Sequence, residues 1–149
     1  MKRQNKYTET DTFHFHNANP KNRATGDCTF RAISVALEQP WEQTVMEMAE
    51  MSCKTGYAIN DKKGIERYLK SKGWVKHDQP RRYDLCGYKK YTGKQWCYEV
   101  QSVTQKRRSS WDRMVAMIGG HHIVAIIDGK VWDIWDSTDG CIGNYWTKP

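Results

Sequence analysis

Two apolar runs, His122-Ile-Val-Ala-Ile-Ile127 and Val131-Trp-Asp-Ile-Trp135, flank the dipeptide Asp128-Gly129. Asp-Gly in this setting favours a two-residue hairpin turn, because both central residues need positive φ and few residue types tolerate it. The runs therefore predict two antiparallel strands with a register set by the turn. Ile127 faces Lys130, and counting outward brings His122 opposite Trp135. Side chains alternate across a strand, so His122, Val124 and Ile126 share a face with Val131, Asp133 and Trp135. Asp133 lies diagonal to His122 on that face, within side-chain reach. A slip of one residue exchanges the faces. The competing pair is then His121 with Asp136, directly opposed on the other face. His122 with Asp133 is favoured, because their face also carries Trp135.

Helices precede this hairpin. Thr12 to His16 alternates and predicts a short strand, and residues 17–26, rich in Asn with Pro20 and Gly26, form a loop. A helix starts at or just before Cys28 and runs to about Glu38, with Phe30, Ile33, Val35, Ala36 and Leu37 apolar and Thr25 or Asp27 as cap. Pro40 opens a second helix in its first turn. That helix runs to about Cys53, filled by Val45, Met46, Met48, Ala49 and Met51, and ends at Gly56. Asn60 or Asp61 starts a third, over 61–72, with Ile65, Tyr68 and Leu69 inward and Gly73 as its stop. Trp74 to His77 reads as a short strand. Residues 78–110 have no clear period. Tyr98 to Val103 alternates loosely, and the rest reads as a polar, Tyr-rich connection able to line a cleft. Met114 to Ile118 is a strand before Gly119-Gly120. Helices first, then a strand meander, is an α+β pattern, with N-terminal helices packed on a C-terminal antiparallel sheet. The 149 residues suit one domain, with residues 1–11 expected to fray.

The formal charge of +7 raises the question of a nucleic-acid partner. The cations are scattered, as Lys2-Arg3, Lys62-Lys63, Arg81-Arg82, Lys89-Lys90 and Lys106-Arg107-Arg108, so a generic solvated basic surface is the expectation. No apolar stretch reaches the roughly 18–20 residues of a membrane span. The basic start, Met1 to Thr10, lacks the apolar core of a secretion signal, and a cytoplasmic location is expected. Five cysteines at 28, 53, 86, 97 and 141, with no CxxC pair, predict free thiols rather than disulfides or a zinc site. Cys53 and Cys86 read as filling, and the His121-His122 dipeptide alone is a weak metal signal. No metal or organic cofactor is expected.

Cys28 is different, because Thr25-Gly-Asp-Cys-Thr-Phe-Arg-Ala-Ile33 sets a thiol at the start of an apolar helix. Unpaired N–H groups and the positive end of the helix dipole there favour thiolate. Gly26 leaves room for a substrate, and the Cys28 N–H can donate to a developing oxyanion. Gly-Asp-Cys-x-x-Arg-Ala-Ile resembles the nucleophile motif of the papain-like cysteine protease superfamily. It is similar to the Gly-Asp/Asn-Cys-Leu-Phe-Arg-Ala form of ovarian-tumour-type deubiquitinases. Asn19-Pro20 upstream, and the stretch from His122 to Trp135, look like small papain-like proteins of bacteria and phages. Asp133-Ile-Trp135 is similar to the Asn-Ser-Trp of papain relatives.

The resemblance implies a papain-like fold and a Cys-His-Asp triad of Cys28, His122 and Asp133. Asn22, six residues before Cys28 where the family usually has Gln, would be an oxyanion donor, with Gly26, Asp27 and Trp135 in support. The expected activity is a cysteine hydrolase, a peptidase or isopeptidase acting on a protein or peptide through a thioester acyl-enzyme. A papain-fold acyl transferase or transglutaminase-like enzyme would use the same residues. A non-enzymatic basic module binding a host protein or nucleic acid is the third reading.

Overall fold

Asp128 and Gly129 take φ of 50° and 75°, the left-handed pair a two-residue turn needs. A Cβ at Gly129 would stand 2.9 Å from the carbonyl oxygen of Cys97, so packing as well as φ holds this position to glycine. A computed structural model describes residues 6–106 and 110–149. Lys2, Arg3, Arg107 and Arg108, and the first five residues of the segment expected to fray, lie outside the described residues.

The chain is mixed α+β, in the order β1 (Phe13–Phe15), α1 (Cys28–Leu37), α2 (Trp41–Thr55), α3 (Lys62–Ser71), β2 (Val75–His77), β3 (Arg81–Asp84), β4 (Gly87–Lys90), α4 (Gly93–Lys106), β5 (Arg113–Ile118), β6 (His122–Ile127), β7 (Lys130–Asp133) and β8 (Ile142–Thr147). Six strands form one sheet in the order β1-β7-β6-β5-β8-β2, antiparallel except for β1 beside β7. Strands β3 and β4 make a separate hairpin. The β6–β7 register pairs Ile127 with Lys130, Ile126 with Val131 and Ala125 with Trp132, as the turn predicts.

Alternation along the strands builds two cores, one on each face of the sheet. Val115, Ile123, Ala125 and Trp146 pack with Ile33 and Ala36 of α1, Met48 of α2 and Ile65, Tyr68 and Leu69 of α3. Met114, Ala116, Val124, Ile126 and Val131 pack with Trp96, Cys97 and Val100 of α4.

Several expectations need correction. Residues 98–103 are helix, not strand. Burial of Trp96, Cys97 and Val100 at helical spacing drives α4. Thr92 and Gln95 form a reciprocal capping box before it: the Gln95 N–H donates to Thr92 Oγ1 and the Thr92 N–H to Gln95 Oε1. Strand β8 follows a register shift near Ala116 and Ile118, which breaks its alternation. Met46 is 71% exposed and fills no core, whereas Met48 is buried. Pro40 is the residue before α2 rather than inside it. Lys6 to Asp11 are tied down: the Asp136 N–H donates to the Lys6 carbonyl at 2.7 Å and the Phe15 N–H to Glu9 Oε1 at 2.8 Å. Strand β7 ends at Asp133, two residues short of Trp135. No helix among the described residues is long and apolar enough to cross a membrane.

Candidate active site

A chain of side-chain turns sets where α1 begins. Asn17 Oδ1 accepts from the Asn19 N–H, and Asn19 Oδ1 accepts from the Lys21 N–H. Asn19 is buried and turns its amide nitrogen onto Asp27 Oδ2 at 3.1 Å. The next residue, Cys28, is the first of α1 and is half-buried. Asp27 sits at the N-cap position but makes no side-chain cap, correcting that expectation. Its oxygens are taken by Asn19, by Trp41 Nε1 at 3.1 Å and by Arg31 Nε at 2.8 Å.

His122 opens β6, and its Nε2 bonds Asp133 Oδ2 at 2.5 Å. That engagement leaves Nδ1 as the ring nitrogen not taken by Asp133, and the imidazole and the Cys28 thiol stand close enough to shift one another's titration. The ring of Trp135 lies 5.0 Å from that of His122, tilted by 33°. By strand parity His122 and Asp133 belong with Val124 and Val131, which pack toward α4. They instead meet Cys28 and Arg31 of α1; both stand at strand ends, beyond the paired stretch of Ala125–Ile127 with Lys130–Trp132.

The electrostatics favour charge on both reacting groups. Burial opposes ionisation of Cys28, but the His122 bond and charge, the Ile123 N–H and the Arg31 cation outweigh it and lower the pKa below 9.0. Burial likewise disfavours the imidazolium, but bonds to Asp133 and Cys28 push His122 up to about 9. The two shifts run in the directions that favour thiolate and imidazolium. The other thiols differ. Cys97 is buried and pushed up to about 12 by that burial, and Cys53, Cys86 and Cys141 are exposed.

Arg31 is the site residue that the sequence reading left without a role. Its guanidinium spans two buried carboxylates, with Nε on Asp27 Oδ1 and Nη1 on Asp133 Oδ1. Asp133 Oδ1 also accepts the Ile134 N–H at 2.7 Å. The carboxylate facing His122 is thus held from three directions. A buried charge needs such pairing, and an arginine four residues after an aspartate within an apolar helix was the signal available in sequence.

The remaining candidates divide. Gly26 is exposed, and a Cβ there would meet nothing within 4 Å, so the fold itself does not require glycine at this position. Asn22 is exposed in a left-handed conformation with φ of 53°. With Tyr7, Phe15, Ala24, Ile134 and Trp135 it lines a cleft of about 850 Å³ beside the Trp135 indole. The competing pair does not form: His121 is exposed in the turn before β6, and the ladder stops short of Asp136. Asp136 Oδ1 instead accepts from the N–H and hydroxyl of Thr138. Among the described residues no cluster of three His, Cys, Asp or Glu is placed to hold a metal ion.

Compared with protein-family models, with curated proteins and with solved structures, the chain finds no match.

Proposed function

We propose that the chain is a papain-like cysteine hydrolase, a peptidase or isopeptidase, using Cys28, His122 and Asp133. The observation that carries this reading is the His122 ring, bonded to Asp133 and near enough to the Cys28 thiol for each to shift the other's titration. An activated nucleophile needs a base within hydrogen-bond reach and a third group to orient that base. In the proposed reaction the thiolate adds to the carbonyl carbon, and the imidazolium gives its proton to the departing amine. The C–N bond breaks and a thioester remains. Water then attacks the thioester while His122 takes its proton, and the thiolate is released. The Cys28 N–H and the Asn22 amide are the proposed oxyanion donors, the kind of preorganised contact that contributes most to acyl transfer. The cleft beside Trp135 is where a peptide chain would lie.

The test is a peptidyl or ubiquitin-type electrophile at neutral pH, with iodoacetamide mapping of all five thiols. Cys28 should react fastest, and both His122→Ala and Asp133→Asn should slow it. If Cys28 alkylates no faster than exposed Cys53, Cys86 and Cys141, the reading fails.

A further inference from the structure

The β3–β4 hairpin gathers cations that looked scattered in sequence. Its pairs are Arg81 with Lys90, Arg82 with Lys89 and Tyr83 with Tyr88. Alternation sorts these pairs onto two faces. Arg82 and Lys89 share a face with Asp84, which forms ion pairs with both, at 3.7 and 3.2 Å. The other face carries Arg81 and Lys90 beside Tyr83 and Tyr88. Neither Arg81 nor Lys90 has an ion-pair partner among the described residues.

The aromatic pair on that face is exposed rather than packed. Tyr83 is 77% and Tyr88 69% exposed, with ring centroids 4.7 Å apart and edge to face. Two strands alone bury little and are marginal in water, so these rings are not placed there by a core. Beside them a groove of about 440 Å³ runs between the hairpin and α4, lined by Arg82, Tyr83, Tyr91, Gln95, Tyr98 and Glu99. The aromatic surface therefore continues from the hairpin toward the helix, with one carboxylate in it.

We propose that this face binds single-stranded nucleic acid. Successive residues on one face of a strand stand about 7 Å apart, which separates the cation pair from the aromatic pair. That leaves room for a backbone phosphate at Arg81 and Lys90 and its base on Tyr83 or Tyr88. Unpaired bases stack on exposed aromatic rings without sequence preference, while cations track the backbone. An acidic protein would satisfy the cations but leave the flat rings without matching partners. The surface contains none of Cys28, His122 or Asp133, so it stands or falls independently of the hydrolase reading.

The test is fluorescence anisotropy with labelled oligothymidylate or oligouridylate of about 15 nucleotides, between about 50 and 200 mM salt. The intact chain should bind the single strand more tightly than the same sequence as duplex. Tyr83→Ala with Tyr88→Ala should weaken binding tenfold or more at unchanged salt slope, and Tyr83→Phe with Tyr88→Phe should retain it. Arg81→Ala with Lys90→Ala should reduce the slope of log K against log salt by about 0.7, the value for one phosphate contact on a single strand. Circular dichroism of each variant checks that it is folded. No binding at low salt overturns the proposal. So does equal binding to duplex, or displacement by polyglutamate with the tyrosine variants unaffected, which would assign the face to an acidic protein.

Discussion

Arg31 on α1 and Asp133 at the end of β7 form a buried ion pair across 102 positions of sequence. Through it, the helix that begins at Cys28 and the strand pair that holds His122 are locked to one another. The same guanidinium holds Asp27, the residue before the thiol.

Replacing Arg31 should therefore damage stability and chemistry together. Arg31→Met leaves two buried carboxylates without their cation, and breaking a buried pair this way costs about 3–5 kcal/mol. Arg31→Lys keeps the charge but offers one ammonium to two carboxylates, and should fall between. Urea denaturation gives the first quantity and Cys28 alkylation at neutral pH the second. A fully stable Arg31→Met protein would rule out this coupling.

The pH dependence of stability should be muted by the pairing of Cys28 with His122. The His122 pKa is raised from 6.5 to about 9. Its contribution is fully present below about 6.5 and is lost as pH rises through about 9. The Cys28 pKa is lowered from 9.0. Its contribution is present above 9.0 and is lost as pH falls through the depressed value. The slopes oppose each other where they overlap, since the two shifts run in opposite directions. In Cys28→Ala only the His122 slope remains, still driven by Asp133. Urea midpoints should fall between about pH 6.5 and 9 more steeply in Cys28→Ala than in wild type. Parallel profiles would refute this coupling.

Gly26 gives a cleaner separation of fold from function. A Cβ there meets no atom within 4 Å, and no positive φ demands glycine. Gly26→Val should change stability by less than about 0.5 kcal/mol, as exposed substitutions usually do. It should nonetheless slow labelling by a peptidyl electrophile tenfold or more while sparing iodoacetamide, which is small. Equal loss with both reagents would point to a distorted Cys28 instead.

The parts of the fold that sequence revealed are those where one local rule acts alone. The Asp128-Gly129 turn set the β6–β7 register from Ile127–Lys130 to Ala125–Trp132, and His122, Asp133 and Trp135 meet beyond the end of that ladder. Gly73 and Asp61 bounded α3 through ordinary cap chemistry. Where signals overlapped, the reading failed. Helix α4 was obscured because Tyr98 and Val103 mimic alternation, although Thr92 and Gln95 marked its start. Strand β8 was missed because its bulged register has no simple period. Within the site, Cys28, His122 and Asp133 were named from residue type and resemblance, while strand parity alone assigned His122 and Asp133 to the face of Val124 and Val131, toward α4. Arg31 was given no role, because its role depends on Asp133 being brought to α1 by tertiary structure. Asn22 was placed by resemblance alone, and the contacts of the loop tie Asn19, not Asn22, to Asp27.

Strand β8 has a consequence for synthesis. It lies between β5 and β2, so β2 has no neighbour in the sheet until residues 142–147 exist. At roughly 5–20 residues per second, Cys28 leaves the ribosome several seconds before His122, and before the sheet that carries His122 can close. During that interval the thiol lacks the His122 imidazole and the Ile123 N–H that lower its pKa. A nascent chain of this design carries Cys28 without its imidazole neighbour until β6 has been made.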